Sequence, residues 1–199
     1  SLDLHLFNEG RHVKLYEKLG AHPVELEGRA GVVFRVWEPK ARSVSLIGGF
    51  NQWDKSAMPL APLGSSGIWE RFVPGLKRGE LYKYHIESNH HGYQVDKADP
   101  YGFLQETPPY TGSVVWDLNY IWGDEAWLAL RAKRNALAAP VSVYEVHLPS
   151  WRRVPQENNR SLSYREIAPL LAAHVRELGF THVEFMPVME HPFLGSWGY

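Results

Sequence analysis

Three carboxylates stand where acid/base chemistry could be done. Glu145 lies in VSVYEVHL (141–148) and Glu184 in FTHVEFM (180–186), two runs with strand-like alternation, while Glu190 and His191 follow the second run directly. A polar side chain alternating within a strand more often satisfies a core network or faces a covering helix, because unpaired carboxylates are seldom buried. Glu145 and Glu184 are therefore read as structural. Glu190 and His191, in the loop after the strand, are candidates for ordering the floor of a cleft. The ten histidines include no HExxH-type spacing. His90 and His91 sit in a turn beside Asn89 and Gly92, and neighbours on an extended chain point opposite ways. With no cysteine in the sequence, disulfides and thiolate metal sites are excluded. Neither a metal nor a cofactor is expected.

Aromatic residues are abundant: eight Trp, ten Tyr and eight Phe among 199 residues. Sugar rings present C–H faces that pack on aromatic planes while their hydroxyls take hydrogen bonds, so aromatics in loops suit a carbohydrate binder. A tightly packed small β-sandwich would use as many, and composition does not decide between the two. Trp53 is the aromatic most out of place, in the turn-like polar stretch Asn51–Lys55. Lys83 falls on the polar face of a strand, and Tyr93 in the turn that follows. Trp37, Trp69 and Phe72 read as core. A net charge of -1 gives no electrostatic ground for nucleic acid or an anionic membrane. No run is long enough to span a bilayer, no signal peptide is visible, and a cytoplasmic location is permitted.

The elements that must position these residues come in two grammars. Residues 11–20 carry a ragged apolar stripe ending in Gly20 and predict a short helix. Short alternating runs follow at 32–37, 44–47, 69–73, 81–87 and 114–116, separated by Gly, Pro, Asn and Ser clusters, which predicts an antiparallel sandwich. The run at 81–87 is the cleanest, with Tyr82, Tyr84 and Ile86 on one face and Lys83, His85 and Glu87 on the other. Asp124–Ala139 reads as a connecting helix. Beyond Pro140 the pattern is strand, helix, strand: 141–148, a helix opened by the capping box Ser163–Glu166, and 180–186. Pro169 inside that helix lacks a backbone donor, so either the helix begins near Pro169 as a first-turn residue or the Ser163 turn is a separate one. Two parallel strands do not make an independent α/β domain, and a full barrel needs about 250 residues. Residues 141–199 are accordingly expected to be the beginning of one. The boundaries expected are a helical lead-in at 1–24, a sandwich at 25–118, a linker helix at 119–140 and the barrel opening at 141–199.

Several segments resemble the glycogen (1,4-α-glucan) branching enzymes of the α-amylase superfamily, glycoside hydrolase family 13. They are LYEKLGAHP (15–23), GGFNQWD with MPL (48–60), GIWERFVPGLKRGELYKYHI (67–86), KADPYGF (97–103), VYEVHLPSWRR (143–153), and SYREIAPLLAAHVRELGFTHVEFMPVMEHP with GSWGY up to Tyr199. Pro149 stands where that family usually has Gly, and Leu194 where its bacterial members usually have Asp. The resemblance implies a mostly β chain: an immunoglobulin-like antiparallel β-sandwich of the family 48 carbohydrate-binding type, then the first β-α-β unit of a (β/α)8 TIM barrel.

The activity it implies is retaining transglycosylation, in which a chain cut from an α-1,4-glucan is moved to a 6-hydroxyl. Two carboxyls about 5–5.5 Å apart would do this. In the family these groups sit after the fourth, fifth and seventh barrel strands, so no catalytic residue is expected in this chain, and by itself it should be inactive. The resemblance makes Tyr199 a stacking platform in the barrel cleft beside Glu190 and His191. It makes Trp53, Lys83 and Tyr93 the sandwich's glucan contacts. The partners implied are α-1,4-glucans such as glycogen and amylose, with a monomeric full enzyme. A non-catalytic glucan-binding module, an isoamylase-type debranching enzyme and a trehalose-releasing glycosidase share the sandwich and remain alternatives.

Overall fold

The structure, a computed structural model, describes residues 2–107 and 109–189. The chain divides into two compact units, Ser1–Asn119 and Tyr120–Tyr199.

The first unit opens with helix α1 (Leu2–Asn8) and a single 3-10 turn at Leu15–Glu17. The predicted helix over 11–20 is not formed: Gly20 instead starts strand β1 (Gly20–Leu26). The remaining strands are β2 (Arg29–Trp37), β3 (Ala41–Gly48), β4 (Ala61–Pro62), β5 (Ile68–Pro74), β6 (Leu81–Ser88), β7 (Gln94–Lys97), β8 (Leu104–Gln105) and β9 (Ser113–Val114). One sheet has the order β1-β2-β5-β4; the other runs β3-β6-β9-β8, with β7 also on β6. Every pairing in this unit is antiparallel. The inward residues of both sheets meet in one core, with Val32, Phe34, Val36 and Val73 from the first and Val44, Leu46, Tyr82, Tyr84 and Ile86 from the second. This is the packing of a β-sandwich, each sheet giving alternate side chains to a shared apolar layer.

Two tyrosines at the centre of that layer carry hydroxyls that would be costly to bury without partners. Asp99 supplies them: its Oδ2 accepts from Tyr82 at 2.8 Å and Tyr84 at 3.0 Å, and its Oδ1 accepts the Tyr101 N–H at 2.8 Å. The Asp99 N–H is in turn held by Ser113 Oγ at 2.8 Å. Burial pushes the Asp99 carboxyl and both phenols above their ordinary values. Trp69 packs on the core, but Trp37, read as core, is 51% exposed. It follows the inward Val32, Phe34 and Val36 on β2, so the strand's alternation turns it outward.

The second unit holds α2 (Glu125–Arg134), β10 (Val143–Val146), α3 (Leu148–Trp151), a small hairpin of β11 (Arg153–Val154) and β12 (Arg160–Ser161), α4 (Tyr164–Glu177) and β13 (His182–Phe185). β10 and β13 are parallel, with Glu145 opposite Glu184. Val146, Leu148, Ile167, Leu171 and Val175 form the core, with Tyr144, Phe180 and Val183 against it. α4 is capped as its sequence predicts. The Ser163 N–H donates to Glu166 Oε2 at 2.7 Å, and Arg160 grips the Glu166 carboxylate with both guanidinium amines, at 3.0 and 2.9 Å. Neither expectation for Pro169 holds: the helix starts at the Ser163 cap and runs through Pro169 unbroken. The carbonyl that loses its amide partner is that of Arg165, four residues earlier, and Arg165 and Pro169 are both exposed, so water can serve it. Gly179, at φ +77°, ends the helix in the left-handed conformation glycine adopts freely. Among the described residues no helix is long and apolar enough to cross a membrane.

Candidate functional site

The chain leaves β3 at Gly48 and makes a tight loop before returning along β3, where the Leu46 N–H donates to Met58 O and the Leu60 N–H to Val44 O. Asn51 organises the first half of that loop. Its amide donates to Leu46 O at 3.0 Å and Asp54 O at 3.2 Å, and its Oδ1 accepts the Gly48 N–H at 3.0 Å. Gln52 and Trp53 follow with φ of +57° and +61°, two consecutive non-glycine residues in the left-handed region. Such residues are uncommon, and they persist where surrounding contacts over-determine them. The Trp53 N–H returns to Gly48 O at 2.9 Å, and the residue is left 42% exposed. Asp54 accepts from the Ser56 hydroxyl at 2.7 Å and the Ser56 N–H at 2.8 Å, which hold its carboxyl below the usual range.

Lys83 lies across from Ile47, next to the end of β3 from which the Trp53 loop springs. Its ammonium donates to Thr111 Oγ1 at 2.7 Å. An exposed indole, an ammonium and a threonine hydroxyl thus belong to one end of the second sheet, a set able to meet the apolar face and the hydroxyls of a pyranose ring. Tyr93 is 61% exposed but belongs to the β6–β7 hairpin, where its carbonyl accepts the Ser88 N–H at 2.8 Å. Lys83 and Ser88 are five residues apart on β6, about 16 Å in an extended strand. The fold therefore places Trp53 and Lys83 at the same end of the second sheet and Tyr93 toward the other end of β6.

Between those ends, the outer face of the sheet is polar and partly roofed by the loop. Ser43, Ser45, Lys55, Ser56, His85, Glu87 and Gln94 line a groove of about 360 Å³ there. His85, read from the sequence as facing out, is on the outer face but only 5% exposed. Its Nδ1 meets Asp96 Oδ1 at 2.6 Å, and Asp96 Oδ2 pairs with Lys55 at 3.1 Å. Burial works to raise the Asp96 carboxyl, but the bonds from His85 and Lys55 outweigh it and hold the group below its ordinary value. Sequence reasoning missed Lys55, Asp96 and Thr111. Lys55 and Asp96 are joined by folding alone and have no local pattern that links them.

Two further cavities lie on the other side of the unit, where α1 and the segment after it meet the first sheet. One of about 360 Å³ includes Asp3, Lys18, Arg35 and Glu70, and one of about 610 Å³ includes Phe7 and Trp37. Their charged groups already pair with one another, Asp3 with His12 and Lys18, and Arg35 with Glu70.

In the second unit Glu145 and Glu184 are exposed, while Tyr144 and Val146, which alternate with Glu145, pack on the α4 core. Both lie on the strand face turned away from the α4 core. Glu190, His191 and Tyr199 lie outside the described residues.

Residues 18–102 match the family described as Carbohydrate-binding module 48 (Isoamylase N-terminal domain). Trp53 and Lys83 both fall within the matched residues. Over its full length the chain is homologous to the N-terminal part of 1,4-alpha-glucan branching enzymes. It is 54% identical to the enzyme of Aquifex aeolicus over 99% of this chain and 31% of that protein. It is 55% identical to that of Streptomyces coelicolor over 100% of this chain and 24% of that protein. The chain spans less than a third of the length of either relative. Among solved structures, ligand-free PulA of Klebsiella pneumoniae shares the fold, with a TM-score of 0.60 and 23% identity over 86% of this chain and 18% of that one. So does the GBS pullulanase SAP, solved with maltotetraose, with a TM-score of 0.59 and 19% identity over 88% of this chain and 24% of that one.

Proposed function

We propose that this chain is the N-terminal region of a 1,4-α-glucan branching enzyme, and that its sandwich binds α-1,4-glucan at the end of the second sheet marked by Trp53 and Lys83. The observation that carries the binding reading is Trp53 itself. It is held on a loop braced by three Asn51 hydrogen bonds and a left-handed backbone, at the sheet end where Lys83 and Thr111 offer polar partners for a sugar's hydroxyls. Stacking on the indole would hold a glucose ring by its C–H face, and Lys83 with Thr111 would meet its hydroxyls. Tyr93 is the outlying member, within reach of a longer chain lying along β6.

In this reading β10, α4 and β13 open a (β/α)8 barrel whose remaining strands carry the carboxylates for retaining transfer. Glu190, His191 and Tyr199 belong to its substrate cleft. Titration of the full chain with maltoheptaose, followed by tryptophan fluorescence, tests the binding. The expected result is saturable quenching, most of which disappears in Trp53→Ala. Quenching of the same size in the variant would move the site elsewhere.

A further inference from the structure

Building on the reading of Trp53 as a glucan contact, we propose that Lys55, Asp96 and His85 form a latch that positions the Trp53 loop without touching the sugar. Two successive non-glycine residues at positive φ cost energy relative to ordinary conformations, so the loop needs restraints at both ends to keep Trp53 presented. Asn51 restrains the entrance, tying residues 46, 48 and 54 to one another. The restraint at the exit is the ion pair from Lys55 to Asp96, which reaches across the outer face of the sheet from the loop to β7.

The parts of this restraint are arranged for the purpose. His85 and Asp96 are direct partners across the β6–β7 ladder. The His85 side chain is 6% exposed and meets Asp96 Oδ1 at 2.6 Å. That contact fixes the carboxylate and leaves Oδ2 directed to Lys55. The competing anion in the groove is Glu87, and it is already engaged. Its Oε2 accepts from Arg42 at 2.8 Å and Ser43 at 2.9 Å, and its Oε1 accepts from Gln94 at 2.8 Å. Lys55 is thus left to Asp96.

Lys55 and Asp96 are 54% and 34% exposed, and ion pairs of that kind add little to global stability. A small bias is nevertheless enough to shift a local loop equilibrium, and apparent affinity falls in proportion to the competent fraction. The latch should therefore act on binding and leave the fold alone.

The test is a double-variant cycle on the full chain, with maltoheptaose as probe. Lys55→Gln and Asp96→Asn, the latter keeping an oxygen opposite His85, should each weaken binding by about threefold to tenfold, with melting curves close to the parent. The double variant should bind no worse than either single variant, because one ion pair can be lost only once. Raising salt should weaken the parent toward the single variants and leave those variants nearly unchanged. If Lys55 binds the sugar directly, Asp96→Asn binds like the parent and the latch is refuted. Additive losses in the double variant refute it as well. Trp53→Ala runs alongside: loss of binding there, with no effect of the Lys55 and Asp96 variants, condemns the latch alone, whereas undiminished binding there condemns the site.

Discussion

At Asp99 one buried carboxylate answers three donors, two tyrosine hydroxyls and a backbone N–H, at the centre of an otherwise apolar layer. Removing the acceptor strands both hydroxyls, each worth about 1–3 kcal/mol when left unsatisfied in the interior. Asp99→Ala should lower the stability of the sandwich by about 3 kcal/mol, read from the urea midpoint. Asp99→Asn, which keeps one carbonyl oxygen, should lose less. Equal losses in the two variants would show that the hydroxyls are not what Asp99 serves. Gln52 is a contrasting case, since its φ of +57° favours glycine. Gln52→Gly relieves about 1 kcal/mol of left-handed strain and adds a comparable entropy to the unfolded chain. The expected result is a melting temperature within a few degrees of the parent, and a large drop would mean that the glutamine side chain braces the loop.

The elements differ in how far they could be read from sequence. β6 was legible because Tyr82, Tyr84 and Ile86 alternate with polar residues and the fold respects the alternation. The start of α4 was legible because a capping box is local chemistry, and the structure forms it. β1 was missed because GAHPVEL has no strong period and forms a strand only through its pairing with β2. Trp37 was misplaced by its residue type, although its parity on β2 already pointed it outward. The candidate site was half legible. Trp53 and Lys83 stand out by type and setting, while Asp96 is joined to Lys55 by tertiary folding.

The α4 cap also has a pH dependence. The Arg160 bonds, helped by the Ser163 N–H and hydroxyl, hold the Glu166 carboxyl down to about 2 from its ordinary 4.5. A carboxylate depressed on folding stabilises above its unfolded value and stops doing so as pH falls through its folded one. The contribution is therefore full above about 4.5 and gone near 2. The groups are exposed, so salt should weaken it. Glu166→Gln should flatten the acid limb of a helical-signal titration over that window, and an identical limb in parent and variant would contradict the assignment.

For the whole molecule, the proposal assigns binding to the sandwich and bond cleavage to barrel strands that follow the part seen here. The purified chain should then neither branch nor hydrolyse amylose. Loss of the iodine stain or appearance of α-1,6 linkages would overturn that division. The central claim is that glucan is bound where Trp53 and Lys83 stand at the end of the second sheet. Amide chemical-shift mapping with maltoheptaose tests it most directly. The account predicts saturable shifts centred on Gly48–Lys55, Lys83 and Thr111. Shifts gathered instead around Phe7, His12 and Trp37, with the Trp53 loop silent, would contradict it.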